Sequence, residues 1–210
     1  MKIFYLKYFI LCILLLILGE FLKDILKIDK LLYTSLSEQL TTVQVELFFN
    51  VQKKWQWIGY VFIPIYMLFK ILIIASILYI GIFFFTKKEI FFKEILKIVV
   101  NTEFIFLFIL ICKIIWFYFF QTNYTLEDIQ YFYPFSALNI TGYKGIEPWL
   151  LYPLQTLNLF EVAYIFFLSY QIGYLTKTNA DNGLKIVGYS YVPALLLWVT
   201  VVMFFTLNYS

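Results

Sequence analysis

The sequence predicts an all-α fold: a polytopic helical membrane bundle of about five transmembrane helices plus an amphipathic interfacial segment. Of the 210 residues, 63% are hydrophobic and 23% are aromatic, and the mean hydropathy is +0.85. A soluble domain of this size could not bury so much apolar surface. The apolar runs are also continuous, whereas a membrane β-barrel would alternate residue by residue. We therefore expect one integral membrane domain over residues 1–210.

Hydropathy and length define the individual spans. The first predicted span has no small-x-small cleavage site after it, so we expect a retained anchor rather than a cleaved signal peptide. The second is longer than the roughly 20 residues of a straight crossing, so we expect it to tilt, or to kink near Pro64. The five predicted spans lie near residues 3–22, 57–85, 98–120, 149–176 and 186–207.

Residues 23–56 form the longest polar stretch. Apolar residues recur through it at helical spacing, which predicts an amphipathic helix that lies on the membrane surface or packs on the bundle. Trp55 and Trp57 indicate a membrane interface. In the later loop 121–148, Thr125 followed by two acidic residues predicts the N-cap of a short helix. The recurring apolar positions are Ile25, Leu26, Ile28, Leu31, Leu32, Leu36 and Leu40.

The lysine distribution predicts a multi-pass protein of the cell inner (plasma) membrane with a cytoplasmic N-terminus. The outer loop 121–148 contains only Lys144. The segment 23–56 contains five lysines and so favours the opposite topology. We give it less weight because lipid headgroups would attract several of these lysines. The lysines that this topology places inside are Lys2, Lys7, Lys87, Lys88, Lys93, Lys177 and Lys185.

Two residue types are absent from the chain. It contains no histidine, and all sixteen of its basic residues are lysine. Without histidine, His-dependent metal sites and Ser–His or Cys–His nucleophiles are excluded. Without arginine, bidentate phosphate clamps and Arg-based voltage sensors are excluded. Cys12 and Cys112 lie in apolar runs and are expected to be free thiols. We predict no catalytic, metal or cofactor-binding residues.

Ionisable and amide side chains inside the apolar runs are the candidate site residues. A charge at mid-bilayer costs about 2.5–3.5 kcal/mol, so such groups pair or line a wet cavity. Counting residues from the outer helix ends puts Lys70 level with Glu161, which predicts an ion pair between them. Glu103 is the other candidate partner for Lys70, and Lys113 could reach Glu161 or the loop acids by snorkelling. The candidate intramembrane polar cluster is Lys70, Glu103, Lys113, Asn158 and Glu161.

Two interpretations of this cluster remain open. In the first, the charges hold helices in register and nothing moves. In the second, they line a polar path or a substrate site between spans two, three and four. The polar stretch of span four, Tyr152-Pro-Leu-Gln-Thr-Leu-Asn158, also has an echo at Tyr133-Pro-Phe-Ser-Ala-Leu-Asn139. The echo indicates either two similarly built helix starts or a coincidence.

The last sixty residues resemble a known family. Leu157-Asn-Leu-Phe-Glu-Val-Ala-Tyr164, then Leu168, Gly173, the polar turn 177–185 and a final apolar span are similar to the C-terminal part of bacterial YIP-type (Ypt-interacting-protein-like) membrane proteins. The resemblance covers a third to a half of the chain. It implies a five-span bundle with a cytoplasmic N-terminus. The first span lies closer to Met1 than is usual in that family.

The resemblance implies a non-enzymatic membrane scaffold or membrane-organising protein. Eukaryotic relatives are implied to bind small GTPases in vesicle traffic, a pathway that a bacterium lacks, so that partner does not carry over. The alternative is a permease-like subunit of a transporter with a polar path between spans two, three and four. We expect the lipid bilayer as a partner, with a protein partner or a second copy of this chain as further candidates. The net charge of +3 is small, and no nucleic acid is expected.

Overall fold

The computed structural model describes residues 2–86 and 88–209. Helices joined by short connections make up this part of the chain, and it contains no β-strand. Lys87, which entered the topology prediction, lies outside the described residues, and so does the side chain of Lys2. The helices are α1 (Lys2–Ile25), α2 (Ile28–Ser37), α3 (Thr42–Phe85), α4 (Phe92–Glu103), α5 (Leu107–Phe119), α6 (Leu126–Tyr131), α7 (Ala137–Thr141), α8 (Pro148–Thr156), α9 (Leu159–Leu175) and α10 (Ala180–Tyr209).

The all-α prediction is confirmed. Four helical stretches of the described chain are long and apolar enough to cross a membrane, and one of them joins α4 to α5 through a 3₁₀ turn at Phe104–Phe106. Predicted spans one, three and five match three of these stretches to within a few residues, except that α4 and α10 begin earlier than predicted. The four stretches are Phe4–Ile25, Thr42–Phe85, Phe92–Phe119 and Ala180–Tyr209.

The fourth predicted span, 149–176, is wrong as a continuous helix. It divides into α8 and α9, because Asn158 adopts an extended backbone conformation (φ −139°, ψ 160°) and caps α9. Helix α9 has 17 residues and is therefore about 25 Å long. That length is close to the roughly 30 Å of a bilayer's hydrocarbon core. The described part of the chain thus contains four long apolar helical stretches and one shorter apolar helix.

The boundary between the amphipathic segment and span two is also wrong. Residues 42–56 belong to α3, which has 44 residues and begins at a capping box between Thr41 and Gln44. The capping box satisfies free N–H groups of the first turn, so the helix starts there rather than at Trp57. At the standard rise α3 is about 66 Å long, roughly twice the hydrocarbon thickness. The rest of the predicted amphipathic segment, residues 23–41, contains the last residues of α1 and the helix α2. Helix α2 is amphipathic, as predicted.

The main core lies between α1, α3, α4, α9 and α10. Their inward faces bury large aliphatic side chains to zero exposure, and these pack as one cluster. A second, smaller cluster joins the ends of α1 and α5 to α6. The residues with no exposed surface in the main cluster include Leu11, Ile71, Leu78, Val99 and Leu168.

Helices α9 and α10 approach each other closely at two glycines. A Cβ atom at Gly183 would lie 1.9 Å from the carbonyl oxygen of Ser169, and one at Gly173 would lie 2.6 Å from the carbonyl oxygen of Asn179. Small residues allow helix backbones to approach in this way in membranes. The contact fixes α9 against α10 and so sets the position of the polar groups that α9 carries.

The two turns α3–α4 and α9–α10 lie on the same side of the bundle. The Lys88 ammonium donates a hydrogen bond to the carbonyl oxygen of Thr176, at 2.5 Å. On the other side, the Tyr124 hydroxyl donates to the carbonyl oxygen of Leu26, at 3.4 Å, and joins the loop after α5 to the end of α1. The bundle therefore has two polar ends separated by the apolar helices.

Candidate functional site

An ion pair joins α3 to α4 inside the bundle. Lys70 Nζ lies 2.7 Å from Glu103 Oε2, with the Glu103 side chain 1% exposed and the Lys70 side chain 30% exposed. Glu103 is the last residue of α4, where the backbone tightens into the 3₁₀ turn. The prediction that Glu103 could pair with Lys70 is therefore confirmed.

Two aromatic residues complete the surroundings of this pair. The Tyr164 hydroxyl, on α9, donates to Glu103 Oε1 at 2.9 Å. Lys70 Nζ also lies 4.3 Å from the ring centroid of Phe106, within the range of a cation–π interaction. Both carboxylate oxygens of Glu103 thus have a donor, as a buried carboxylate requires.

The predicted ion pair between Lys70 and Glu161 is wrong. Glu161 Oε1 accepts a hydrogen bond from the Tyr191 hydroxyl on α10, at 2.7 Å. The prediction counted residues along one continuous helix, but the chain breaks after Thr156. The break puts Glu161 in the first turn of a new helix, so its depth does not follow from the count.

Asn158 forms the break itself. Its side-chain oxygen accepts from the backbone N–H of Glu161 at 2.8 Å, which caps α9. Its side-chain nitrogen donates to the carbonyl oxygens of Gln155 and Thr156, at 2.9 and 3.0 Å. One amide side chain therefore forms hydrogen bonds with free backbone groups both at the end of α8 and at the start of α9.

The two echo segments contact each other. Ala137 N–H donates to the carbonyl oxygen of Leu157 at 2.8 Å, and Leu159 N–H donates to that of Phe135 at 3.2 Å, forming an antiparallel bridge centred on Ser136 and Asn158. Ser136 caps α7 as Asn158 caps α9. The caps fall at different places in the echo, so the two helix starts are not built alike.

Tyr133, in the loop before α7, lies close enough to Glu161 to interact electrostatically with its carboxylate. Burial raises the pKa of the Tyr133 phenol above its ordinary value, and the negative charge of Glu161 raises it further. Both effects favour the neutral phenol. A neutral phenol therefore lies near the Glu161 carboxylate.

Lys113 stands apart from the other candidates. It lies on α5 four residues after Ile109 and four before Phe117, both of which are buried, and it is itself half-buried. Within residues 2–86 and 88–209, its ammonium makes no hydrogen bond or ion pair. The structure therefore joins Lys70 to Glu103 and Asn158 to Glu161, and leaves Lys113 separate.

Sequence reasoning missed Tyr164 and Tyr191, the hydroxyl donors to the two glutamates. The chain contains 18 tyrosines, so composition does not distinguish these two. Spacing would pair Tyr164 with Glu161, three residues earlier on the same helical face, whereas the Tyr164 hydroxyl donates to Glu103. A further contact that was missed joins α4 to α9, where the Gln171 amide donates to the Thr102 hydroxyl at 2.9 Å.

The hydrogen bonds of the polar network pair the buried polar groups of the described residues. Among the described residues, every buried side-chain nitrogen or oxygen has a hydrogen-bond partner. No group of three or more Cys, Asp or Glu side chains in that part of the chain is placed to hold a metal ion. The arrangement can fix α3, α4, α9 and α10 relative to one another.

No protein family, curated protein or solved structure matches this chain. The resemblance to YIP-type proteins therefore stays a prediction.

Proposed function

We propose that this protein is a non-enzymatic membrane scaffold or membrane-organising protein, in which the intramembrane charges fix the arrangement of the helices. The observation that carries the proposal is the Glu103 carboxylate, whose two oxygens accept hydrogen bonds from Lys70 and Tyr164. An ion or a substrate that bound this carboxylate would compete with contacts that join α4 to α3 and α9. These contacts therefore support a structural role for the charges.

The proposed setting is the cell inner membrane, with the N-terminus in the cytoplasm. In support, the two turns joined by the contact between Lys88 and Thr176 carry further lysines, and lysine-rich short turns favour the cytoplasmic side. The opposite end carries most of the acidic residues. These are Glu20, Asp24, Asp29, Glu38, Glu46, Glu127, Asp128 and Glu147.

The partners proposed for the scaffold are the bilayer and another membrane protein or a second copy of this chain. The first third of α3 supports this, because α3 is about twice as long as the hydrocarbon core is thick. Large apolar side chains such as Val43, Leu47 and Trp55 are exposed on that part of the helix. Such an apolar surface is suited to the membrane or to another protein.

A charge-neutralisation cycle tests the structural role. Lys70→Met, Glu103→Gln and the double variant are purified in detergent, and the free energy of unfolding of each is measured. We expect each single variant to lose several kcal/mol and the double variant to recover most of the loss, because only the single changes leave a buried charge without its partner. Tyr66→Phe, an exposed change on the same helix, is the control.

The transport alternative is tested in the same variants after reconstitution into vesicles. A pH-sensitive dye inside the vesicles reports proton flux under an imposed pH gradient. The scaffold proposal expects flux no higher than in empty vesicles. Single variants that fold like the wild type, together with a flux that Glu103→Gln abolishes, would replace the scaffold with the permease-like subunit.

A further inference from the structure

A small basic cavity lies between α1 and α4, away from the Lys70–Glu103 pair. Its volume is about 70 Å³, and its lining combines two lysines and an amide with two apolar residues. Across the cavity, Lys7 Nζ donates to Asn101 Oδ1 at 2.8 Å. The lining residues are Phe4, Lys7, Lys97, Val100 and Asn101.

The cavity is positively charged and has unused donors. Lys97 makes no hydrogen bond or ion pair in the part of the chain that the structure describes. Lys7 uses only one of the three donors of its ammonium group, in the bond to Asn101. Glu94 lies three residues before Lys97 and forms no ion pair with it. Two lysines therefore face the cavity without a neutralising carboxylate.

The cavity lies near the starts of α1 and α4, at one end of the bundle. Lys7 lies five residues after the start of α1 at Lys2, and Lys97 lies five after the start of α4 at Phe92. At the helical rise both offsets are about 8 Å. A lysine side chain can extend over that distance towards the helix ends, where lipid headgroups would meet the bundle.

The chemistry of the cavity fits a phosphate group. Three N–H donors of a lysine and a compact volume suit a tetrahedral oxyanion, and basic pockets between transmembrane helices bind anionic lipid headgroups. Ile10, three residues after Lys7 on the same helical face, is exposed and continues the apolar surface towards the bilayer centre. An acyl chain could lie along this surface, which favours a lipid over a free anion.

We propose that the cavity formed by Lys7, Lys97 and Asn101 binds the phosphate of an anionic membrane lipid. The lysines supply the charge and the donors, Asn101 positions the Lys7 ammonium, and Phe4 and Val100 bound the pocket towards the hydrocarbon. The site does not depend on the scaffold role, because it shares no residue with the Lys70–Glu103 network.

Native mass spectrometry of the delipidated full-length protein in detergent tests the site. Dioleoyl phosphatidylglycerol is titrated into the wild type, into Lys7→Gln/Lys97→Gln, and into the control Lys27→Gln/Lys30→Gln. The control removes two lysines that line an open groove at the other end of the bundle. Each lysine near an anionic surface contributes about a fivefold factor in affinity. We therefore expect about 25-fold weaker binding in the first double variant and a change of less than about twofold in the control.

The two sources of phosphate are separated by competition. We expect neither dioleoyl phosphatidylcholine nor inorganic phosphate to displace phosphatidylglycerol at equal concentration. Displacement by inorganic phosphate would overturn the lipid assignment. Equal binding by the wild type and by Lys7→Gln/Lys97→Gln, or equal weakening in the control, would overturn the site. If the double variant does not fold, the single change Lys97→Gln, which removes no internal contact, should weaken binding about fivefold, and Lys97→Arg should retain it.

Discussion

Lys70 and Lys113 are both lysines within apolar helices, yet their surroundings differ. Lys70 has a carboxylate at 2.7 Å and an aromatic ring at 4.3 Å. Lys113 lies between buried residues on α5 and has neither an ion pair nor a hydrogen bond within the described chain. In the region of Lys70 four helices converge, whereas α5 at Lys113 packs mainly against α1. A charge is compensated where enough helices meet to supply its partners.

The difference has an energetic consequence. A buried ion pair contributes little net stability, but the loss of one partner leaves the other charge uncompensated. A lone, half-buried lysine already carries part of that cost in the native protein. Substitutions in the two regions should therefore change the free energy of unfolding in opposite directions.

Glu103→Ala should have the largest effect. It leaves the half-buried Lys70 ammonium without its carboxylate and removes the acceptor of the Tyr164 hydroxyl. We expect a loss of about 3–5 kcal/mol in the free energy of unfolding, measured by equilibrium unfolding in mixed detergent micelles. An effect below about 1 kcal/mol would mean that Lys70 finds another partner or reaches water, and the contrast with Lys113 would disappear.

Tyr191→Phe should have an intermediate effect. The change removes one hydroxyl and leaves Glu161 Oε1 without its donor at 2.7 Å. Loss of a hydrogen bond to a charged acceptor costs about 1.5–3 kcal/mol, which the same unfolding experiment measures. Tyr189→Phe, two residues earlier and exposed, is the matched control and should change stability by less than about 0.5 kcal/mol.

Lys113→Met should act in the opposite direction. Methionine has a similar length and no charge, so it removes the cost of a lysine that lacks a partner. We expect a gain of about 1 kcal/mol, below the insertion cost at the helix centre because the side chain is only half-buried. Lys144→Met, in an exposed loop position, should be neutral. A loss of stability in Lys113→Met would reveal a favourable contact of this ammonium in the bilayer.

Hydropathy located spans one, three and five because the apolar length of a helix is a local property. The helix near Thr125 was also predictable, since Thr125 and Asp128 form their capping box within four residues. The pairing of the intramembrane charges was less predictable. The pairing depends on where the helices break. The prediction counted residues along one helix from Trp149 to Glu161, but the chain breaks at Asn158. Polar residues in an apolar run can therefore mark a helix boundary as well as a site.

The partners of the glutamates depended on tertiary structure. Glu161 and its donor Tyr191 are thirty residues apart, and Glu103 and its donor Tyr164 are sixty-one apart. The first contact joins α9 to α10, which approach closely at Gly183, and the second joins α4 to α9; a single sequence reveals neither arrangement. Physical reasoning from the sequence could therefore say that Glu103 and Glu161 need partners, but it could not choose a tyrosine among eighteen.

A carboxylate outside the apolar helices shows what hydrogen bonds do without an ion pair. Burial alone would raise the pKa of Asp128, but hydrogen bonds from the Thr125 backbone N–H at 2.7 Å and from the Tyr143 hydroxyl at 2.8 Å outweigh it. The pKa of Asp128 is therefore lowered from its ordinary value. A lowered pKa means that the folded protein prefers the ionised form, so its contribution to stability is present above the ordinary carboxyl pKa and is lost as the pH falls through the lowered one.

Asp128→Asn should therefore have a small and pH-dependent effect. At pH 7 we expect the variant to be about 1 kcal/mol less stable than the wild type, measured as the free energy of unfolding. The gap should close as the pH falls below about 4, where the wild-type carboxyl takes up its proton. Glu127→Gln, the neighbouring exposed carboxylate, should show no such gap. A gap that persists unchanged at pH 3 would mean that the shape of the Asp128 side chain, and not its charge, holds the loop to α6.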